Sequence, residues 1–185
     1  PYTPAAGLPA LRQAVANLYA SLHGVDVDPR NILITAGASA GLLLAIALTT
    51  ESGDDVIMAD PCYPCNRELV EAFGGRVVLA PTNAASRYQL DVRTMTQVWT
   101  SSTNAIVLAT PSNPTGTTIP FDELVRICRE ARARGAWRIV DEIYLSLADP
   151  DAGGRPARTA LETDREVMIV SSFSKYFGMT GWRLG

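Results

Sequence analysis

The 185-residue chain contains 47% hydrophobic and 19% charged residues, a composition typical of a globular protein with a sizeable core and unlike that of a disordered chain. Sixteen basic and nineteen acidic residues give a formal net charge of -3, which argues against a nucleic-acid surface. The longest apolar run, Gly41–Leu48, is far shorter than the roughly 18 residues of a membrane span, and the single histidine, His23, argues against a histidine-rich metal site.

Patterns of apolar residues predict alternating helices and strands along the chain. Apolar residues at helical spacing predict an amphipathic helix over residues 8–23. Short runs that are apolar throughout predict buried strands. The predicted strands are Asn31–Thr35, Asp55–Ala59, Arg76–Ala80, Ala105–Ala109, Arg138–Asp141 and Val167–Ser171, and the further predicted helices are an apolar one after Gly37–Gly41, Asn66–Phe73 and Phe121–Arg134.

This alternation predicts the fold class. Strands that are buried on both faces and separated by helices indicate an α/β protein with three layers, α/β/α, around a mainly parallel sheet. In such sheets ligands bind beyond the carboxyl ends of the strands. The residues that directly follow each predicted strand are therefore the candidate functional residues.

Small residues follow the first predicted strand. Gly37, Ala38 and Ser39 open the next helix, where free backbone amides and the helix dipole favour a phosphate group. The same residues match the nucleophile-elbow pattern G-x-S-x-G, which makes Ser39 a candidate hydrolase nucleophile. The histidine of such hydrolases follows the serine, and no histidine follows Ser39, so a hydrolase is a remote alternative.

Polar and aromatic side chains follow the later predicted strands, at the same edge of the sheet. They supply an aromatic ring, an amide, a carboxylate, a phenol and a lysine amine. A phosphorylated pyridine aldehyde requires this set, because it needs a lysine for a Schiff base, a carboxylate for the ring nitrogen and donors for the phosphate. The residues are Tyr63, Asn113, Asp141, Tyr144, Ser172, Ser174 and Lys175.

The three cysteines are Cys62, Cys65 and Cys128. Cys62 and Cys65 match C-x-x-C, which occurs in redox pairs and in zinc sites, but no second pair follows. Free thiols and the absence of a signal peptide predict a reducing, cytoplasmic setting.

The chain resembles the fold-type I pyridoxal-phosphate aminotransferases of class I/II, from Tyr2 to Arg183. The resemblance rests on motifs that occur in the family's order and with family-like spacing. These motifs are Tyr2-x-x-x-x-Gly7-x-x-x-Leu11-Arg12, Gly37-Ala38-Ser39, Pro61-x-Tyr63-Pro64, Asn113-Pro114-Thr115-Gly116, Asp141-Glu142-x-Tyr144, Ser172-x-Ser174-Lys175 and Gly178-Met179-x-Gly181-Trp182-Arg183.

The resemblance implies roles for individual residues. Lys175 would hold pyridoxal 5'-phosphate as an internal aldimine and would shuttle the substrate proton. Asp141 would pair with the pyridinium nitrogen, and Tyr144 and Asn113 would hydrogen-bond the ring oxygen O3'.

The resemblance also implies how the cofactor is held. Tyr63 would stack on the ring, whereas Ala38, Ser39, Ser172 and Arg183 would hold the phosphate. Tyr2 would reach the phosphate of the neighbouring subunit, which implies a homodimer with shared active sites.

The function implied by the resemblance is transfer of an amino group from an amino acid to a 2-oxo acid. Residues 1–185 would be an incomplete large, cofactor-binding domain, without the N-terminal arm and without the C-terminal small domain that carries the arginine for the substrate carboxylate. Two alternatives stay open: another pyridoxal-phosphate enzyme of the same fold, such as a C–S lyase, synthase or decarboxylase, and the cofactor-binding sensor domain of a transcription regulator.

Overall fold

The structure is a computed structural model that describes residues 2–150, 154 and 156–185. These residues form a five-stranded sheet with the strand order β2-β1-β3-β4-β5, and every neighbouring pair of its strands is parallel. The predicted parallel sheet is thus confirmed. The strands are β1 (Asp55–Asp60), β2 (Arg76–Pro81), β3 (Thr103–Ala109), β4 (Trp137–Asp141) and β5 (Met168–Val170).

Helices cover both faces of this sheet. Alternate strand residues enter two apolar clusters on opposite sides: Ile57 packs with Ile127 on one face, and Val56 packs with Ile46 on the other. The fold is therefore the predicted three-layer α/β/α arrangement. The helices are α1 (Pro9–His23), α2 (Ala38–Thr49), α3 (Pro64–Ala72), α4 (Val92–Gln97) and α5 (Phe121–Ala133).

The predicted strand Asn31–Thr35 is wrong. Asn31 ends a 3-10 turn that begins at Pro29, and residues 32–35 belong to no strand. Thr35 exchanges two backbone hydrogen bonds with Gly185, with N to O distances of 2.8 and 3.0 Å, which is the pattern of one antiparallel pair. An apolar run forms a strand only where a neighbouring strand offers a continuous series of backbone hydrogen bonds. Here Gly185 alone pairs with the run, at Thr35.

Helix α1 occupies the predicted residues but is less buried than the amphipathic pattern predicts. Ala16 is its buried residue, whereas Leu22 is 50% exposed. A groove of about 830 Å³ lies between α1 and the sheet, and Leu18 and Tyr19 line it on the helix side. None of the helices in the described ranges combines the length and the apolar character that a bilayer span requires.

Helix α4 was not predicted, because its six residues are too few to show a period. Its start is fixed by Asp91, whose Oδ1 accepts a hydrogen bond from Thr94 N at 2.6 Å. Met95 is the residue that it buries.

Candidate active site

The carboxyl ends of β1, β3, β4 and β5 meet at one edge of the sheet, because all the strands are parallel. The candidate residues Tyr63, Asn113, Asp141 and Lys175 all lie on segments that leave this edge. The site is built from these segments together with the first turn of α2.

The N-terminus of α2 and Arg183 form a cradle for an anion. Gly37 precedes the helix with φ +83°, a conformation that favours glycine, and a Cβ atom at this position would lie 2.7 Å from Arg183 Nη2. The guanidinium therefore lies against the helix start, where free amides and the helix dipole already favour negative charge. Ala38 is buried in the first turn of α2, and Ser39 is exposed beside it.

Arg183 reaches this place because residues 173–185 fold back on themselves. Phe173 N donates to Leu184 O at 3.1 Å, and Met179 N donates to Phe173 O at 3.1 Å. The guanidinium is oriented by a hydrogen bond from its Nη1 to Thr180 O at 3.1 Å. This turn carries Lys175 at its beginning and Arg183 at its end, so one segment supplies both the amine and the guanidinium beside the helix start.

Asp141 is the last residue of β4, and hydrogen bonds hold both its backbone carbonyl and its side chain. Thr110 N donates to Asp141 O at 3.1 Å, and the side-chain Oδ1 accepts from Ile143 N at 3.0 Å. Burial raises the pKa of Asp141 to about 6, and the hydrogen bond from Ile143 opposes this rise. A cation opposite this carboxylate would lower its pKa again, so the position suits a protonated ring nitrogen.

Lys175 lies beside Tyr144, with Nζ 5.6 Å from the centroid of the tyrosine ring. It is the only lysine among the 185 residues, and its side chain is exposed. Tyr63 lies directly before α3, and the pKa of its phenol is raised chiefly by Cys65, through a hydrogen bond and its charge, and then by burial and by Tyr144. The lysine amine and the Tyr144 phenol therefore lie together at the sheet edge.

Asn113 is half-buried in the loop after β3. This loop is closed by hydrogen bonds from Ser112 N to Thr117 O at 2.9 Å and from Gly116 N to Ser112 O at 2.8 Å. The buried Gln89 fixes it from outside, because its Nε2 donates to Thr117 O at 2.5 Å. Sequence reasoning missed Gln89, since nothing in its local pattern points to a residue 28 positions away.

Ser172 is buried after β5, and its Oγ accepts a hydrogen bond from Ser174 N at 2.9 Å. Its hydroxyl hydrogen is not used in this bond and can be donated to a ligand. Tyr2 is fully exposed, at 105%, so within this chain the structure does not bring it into the site. Its predicted contact with a neighbouring subunit stays a prediction.

The serine and cysteine motifs lie in settings unlike those of a hydrolase or a zinc site. Because residues 32–35 form no strand, Ser39 lacks the strand–turn–helix context of a nucleophile elbow. Cys62, Cys65 and Cys128 are free thiols, and burial raises the pKa of Cys128 to about 12. Within the described part of the chain, no three His, Cys, Asp or Glu residues are grouped as metal ligands would be.

Comparison with known proteins gives one consistent family. The family model "Aminotransferase class I and II" matches residues 1–185. The chain is 40% identical over 184 residues to the valine–pyruvate aminotransferase of Mycobacterium tuberculosis, an alignment that covers all of this chain and 47% of that protein. It is 35% identical over 185 residues to the aspartate aminotransferase of Pyrococcus horikoshii, covering all of this chain and 46% of the relative.

Comparison with solved structures identifies the same family. The crystal structure of an aminotransferase from Mycobacterium tuberculosis superimposes with a TM-score of 0.92 at 39% identity, over 100% of this chain and 47% of that chain. The chain therefore spans about half the length of the relatives that it matches.

Proposed function

Because the chain belongs to the aminotransferase class I and II family, we propose that the protein transfers an amino group from an amino acid to a 2-oxo acid. Enzymes of this family use pyridoxal 5'-phosphate as cofactor. The observation that carries the proposal is the position of Lys175 Nζ, 5.6 Å from the Tyr144 ring, at the sheet edge that also holds Asp141.

The donor set fits this cofactor. The cradle of Arg183 and the α2 N-terminus is suited to a phosphate dianion, because a guanidinium and helix amides both bind phosphate oxygens. The carboxylate of Asp141 is suited to a pyridine nitrogen, and the amine of Lys175 to an aldehyde. Each part of the cofactor thus has a partner of matching chemistry on this chain.

The bound cofactor supplies an electron sink for the carbanion that forms at the substrate Cα. Lys175 would hold the cofactor through Nζ, and its free amine would move the proton at the substrate Cα. Asp141 would keep a proton on the ring nitrogen, because a buried carboxylate stabilises a cation opposite it. Tyr144 and Asn113 would donate hydrogen bonds to the ring oxygen, and Tyr63 would stack on the ring.

Ala38, Ser39, Ser172 and Arg183 would hold the phosphate. The full exposure of Tyr2 supports its use by a second subunit, and with it a homodimer with shared sites. Residues 1–185 then form the cofactor-binding domain of a longer protein. The free thiols support the cytoplasmic location predicted from the sequence.

Two half-reactions test the proposed function in the full-length protein loaded with pyridoxal 5'-phosphate. An amino acid should change the absorbance of the bound cofactor and leave as the 2-oxo acid of the same carbon skeleton, and a second 2-oxo acid should restore the first spectrum. Release of carbon dioxide or sulfide in place of the 2-oxo acid would contradict the proposal and favour a decarboxylase or a C–S lyase. Lys175→Arg is the matched control, since it keeps the charge, lacks the nucleophile and should abolish both spectral changes.

A further inference from the structure

Glu142 is a buried acid that directly follows Asp141 and that the proposed chemistry does not use. Glu142 is 2% exposed, and both oxygens of its carboxylate accept hydrogen bonds. Oε2 accepts from Thr159 Oγ1 at 2.8 Å, and Oε1 accepts from Ala160 N at 2.7 Å. Both donors are completely buried, so this contact is shielded from water.

The two acids have different surroundings. Ala160 belongs to the apolar cluster that contains Val140, whereas Ile139, two residues before Asp141, belongs to the cluster on the opposite face of the sheet. Because successive strand residues point to opposite faces, Asp141 faces the side of α2 and its anion cradle, and Glu142 reaches the opposite side. Glu142 therefore contacts a segment that lies away from the cofactor side.

That segment, residues 159–164, is fastened to both ends of β4. At the carboxyl end, Glu142 accepts the two hydrogen bonds described above. At the other end, Arg138 donates from Nε to Asp164 Oδ2 at 2.8 Å, and its Nη2 lies 2.6 Å from the same oxygen. Both of these residues are also buried.

The same segment leads into β5 and then to Lys175. Glu142 N also donates to Val170 O at 2.8 Å, which fixes the carboxyl ends of β4 and β5 against each other. Glu142 therefore joins the strand end that carries Asp141 to the chain that carries Lys175.

We propose that Glu142 is a positioning residue, which sets the carboxylate of Asp141 against the amine of Lys175 through its hydrogen bonds to Thr159 and Ala160. This inference rests on the proposed function, because it assigns a role relative to the same cofactor site. It concerns the geometry of the hydrogen bonds and not the charge of Glu142.

The electrostatics agree with a geometric role. Burial raises the pKa of Glu142 to about 7, the bonds from Ala160 and Thr159 oppose the rise, and the negative charges of Asp141 and Glu162 add to it. The pKa of the Tyr19 phenol is also raised, mainly by burial and secondly by the negative charge of Glu142. The raised pKa favours the protonated form, and one oxygen can accept from Ala160 N in either protonation state.

Variants of the full-length protein distinguish a positioning role of Glu142 from an effect of its charge and from an effect on protein stability. Glu142→Ala removes both accepted bonds and should weaken pyridoxal 5'-phosphate binding at least about tenfold and shift the absorbance of the bound cofactor. Glu142→Gln can accept from Ala160 N and donate to Thr159 Oγ1, so it should bind the cofactor within about twofold of the wild type. Thr159→Val should weaken binding to an intermediate degree, and Thr159→Ser should restore it.

Asp164→Asn is the control for a purely structural role, because it removes the charge of the buried pair at the far end of β4. It should lower the temperature of unfolding and leave the affinity and the absorbance of the bound cofactor unchanged. Wild-type affinity and absorbance in both Glu142→Ala and Thr159→Val would overturn the inference, as would equal spectral shifts in Asp164→Asn. If Glu142→Ala does not fold, the two Thr159 variants decide the question.

The inference and the proposed function fail differently. If the wild type carries the cofactor on Lys175 and transaminates, the proposed function stands whatever the Glu142 variants do. If the wild type binds no cofactor, both are wrong.

Discussion

The guanidinium of Arg183 occupies the space that a side chain on Gly37 would need, since a Cβ atom there would lie 2.7 Å from Nη2. Two segments that are far apart in the sequence thus build one anion cradle. The absence of a side chain at residue 37 is what allows the cation to reach the helix start.

We predict that Gly37→Ala weakens cofactor binding by at least about tenfold, because the methyl group displaces Arg183 and strains a backbone at φ +83°. The dissociation constant of pyridoxal 5'-phosphate, measured by titration of the full-length apoenzyme, gives the effect. Gly53→Ala is the matched control: its φ is +95° and a Cβ atom there has no neighbour within 4 Å. This control should lose about 1 kcal/mol of stability and keep its affinity. Equal affinities in the two variants would refute the cradle.

Asp141→Ala should reduce turnover by two or more orders of magnitude while the protein stays folded. The carboxylate stabilises the protonated ring nitrogen, and without it the ring withdraws electrons from the substrate less strongly. The measurement is kcat with saturating substrates, together with circular dichroism.

Asp60→Asn is a suitable control for Asp141→Ala, because Asp60 ends the parallel strand β1 in the same way but is exposed. It should retain near wild-type kcat. A normal kcat in Asp141→Ala would remove the role assigned to that carboxylate.

The buried acids should make the stability depend on pH. Burial raises the pKa of Glu142 from 4.5 to about 7 and that of Asp141 from 3.8 to about 6. Between the unfolded and folded values the folded state binds more protons, so the free energy of unfolding should fall as the pH rises through this window. For Glu142 the loss should approach roughly 3 kcal/mol at pH values above 7.

Glu142→Gln should reduce this loss, since an amide does not titrate. The free energy of unfolding of the full-length apoprotein, measured with urea at pH 5 and pH 7.5, gives the comparison. A variant whose stability changes with pH as much as that of the wild type would show that Glu142 titrates in the same range in both states.

The sequence predicted the parts of the fold that depend on local patterns. The strands of the sheet are mainly apolar, and Asp141 and Lys175 could be placed at its edge because Asp141 ends β4 and Lys175 lies on the segment that follows β5. Residues 31–35 have the same local pattern, but their pairing depends on Gly185, at the far end of the chain.

Hydrogen bonds between residues that are far apart in the sequence could not be predicted either, because local patterns do not identify the partner. Apolar periodicity reports which face of an element is buried, and it carries no information on which distant polar group lies opposite. The bond between Thr159 and Glu142 spans 17 residues, and that between Gln89 and Thr117 spans 28. Both hold parts of the candidate site in place.

The most direct test of the account is to locate the covalently attached cofactor. Full-length protein saturated with pyridoxal 5'-phosphate should be reduced with borohydride, digested and analysed by mass spectrometry. The account predicts the reduced cofactor on the peptide that contains Lys175, the only lysine of these 185 residues. Recovery of that peptide unmodified, with the cofactor on another lysine of the full-length protein or on none, would contradict it.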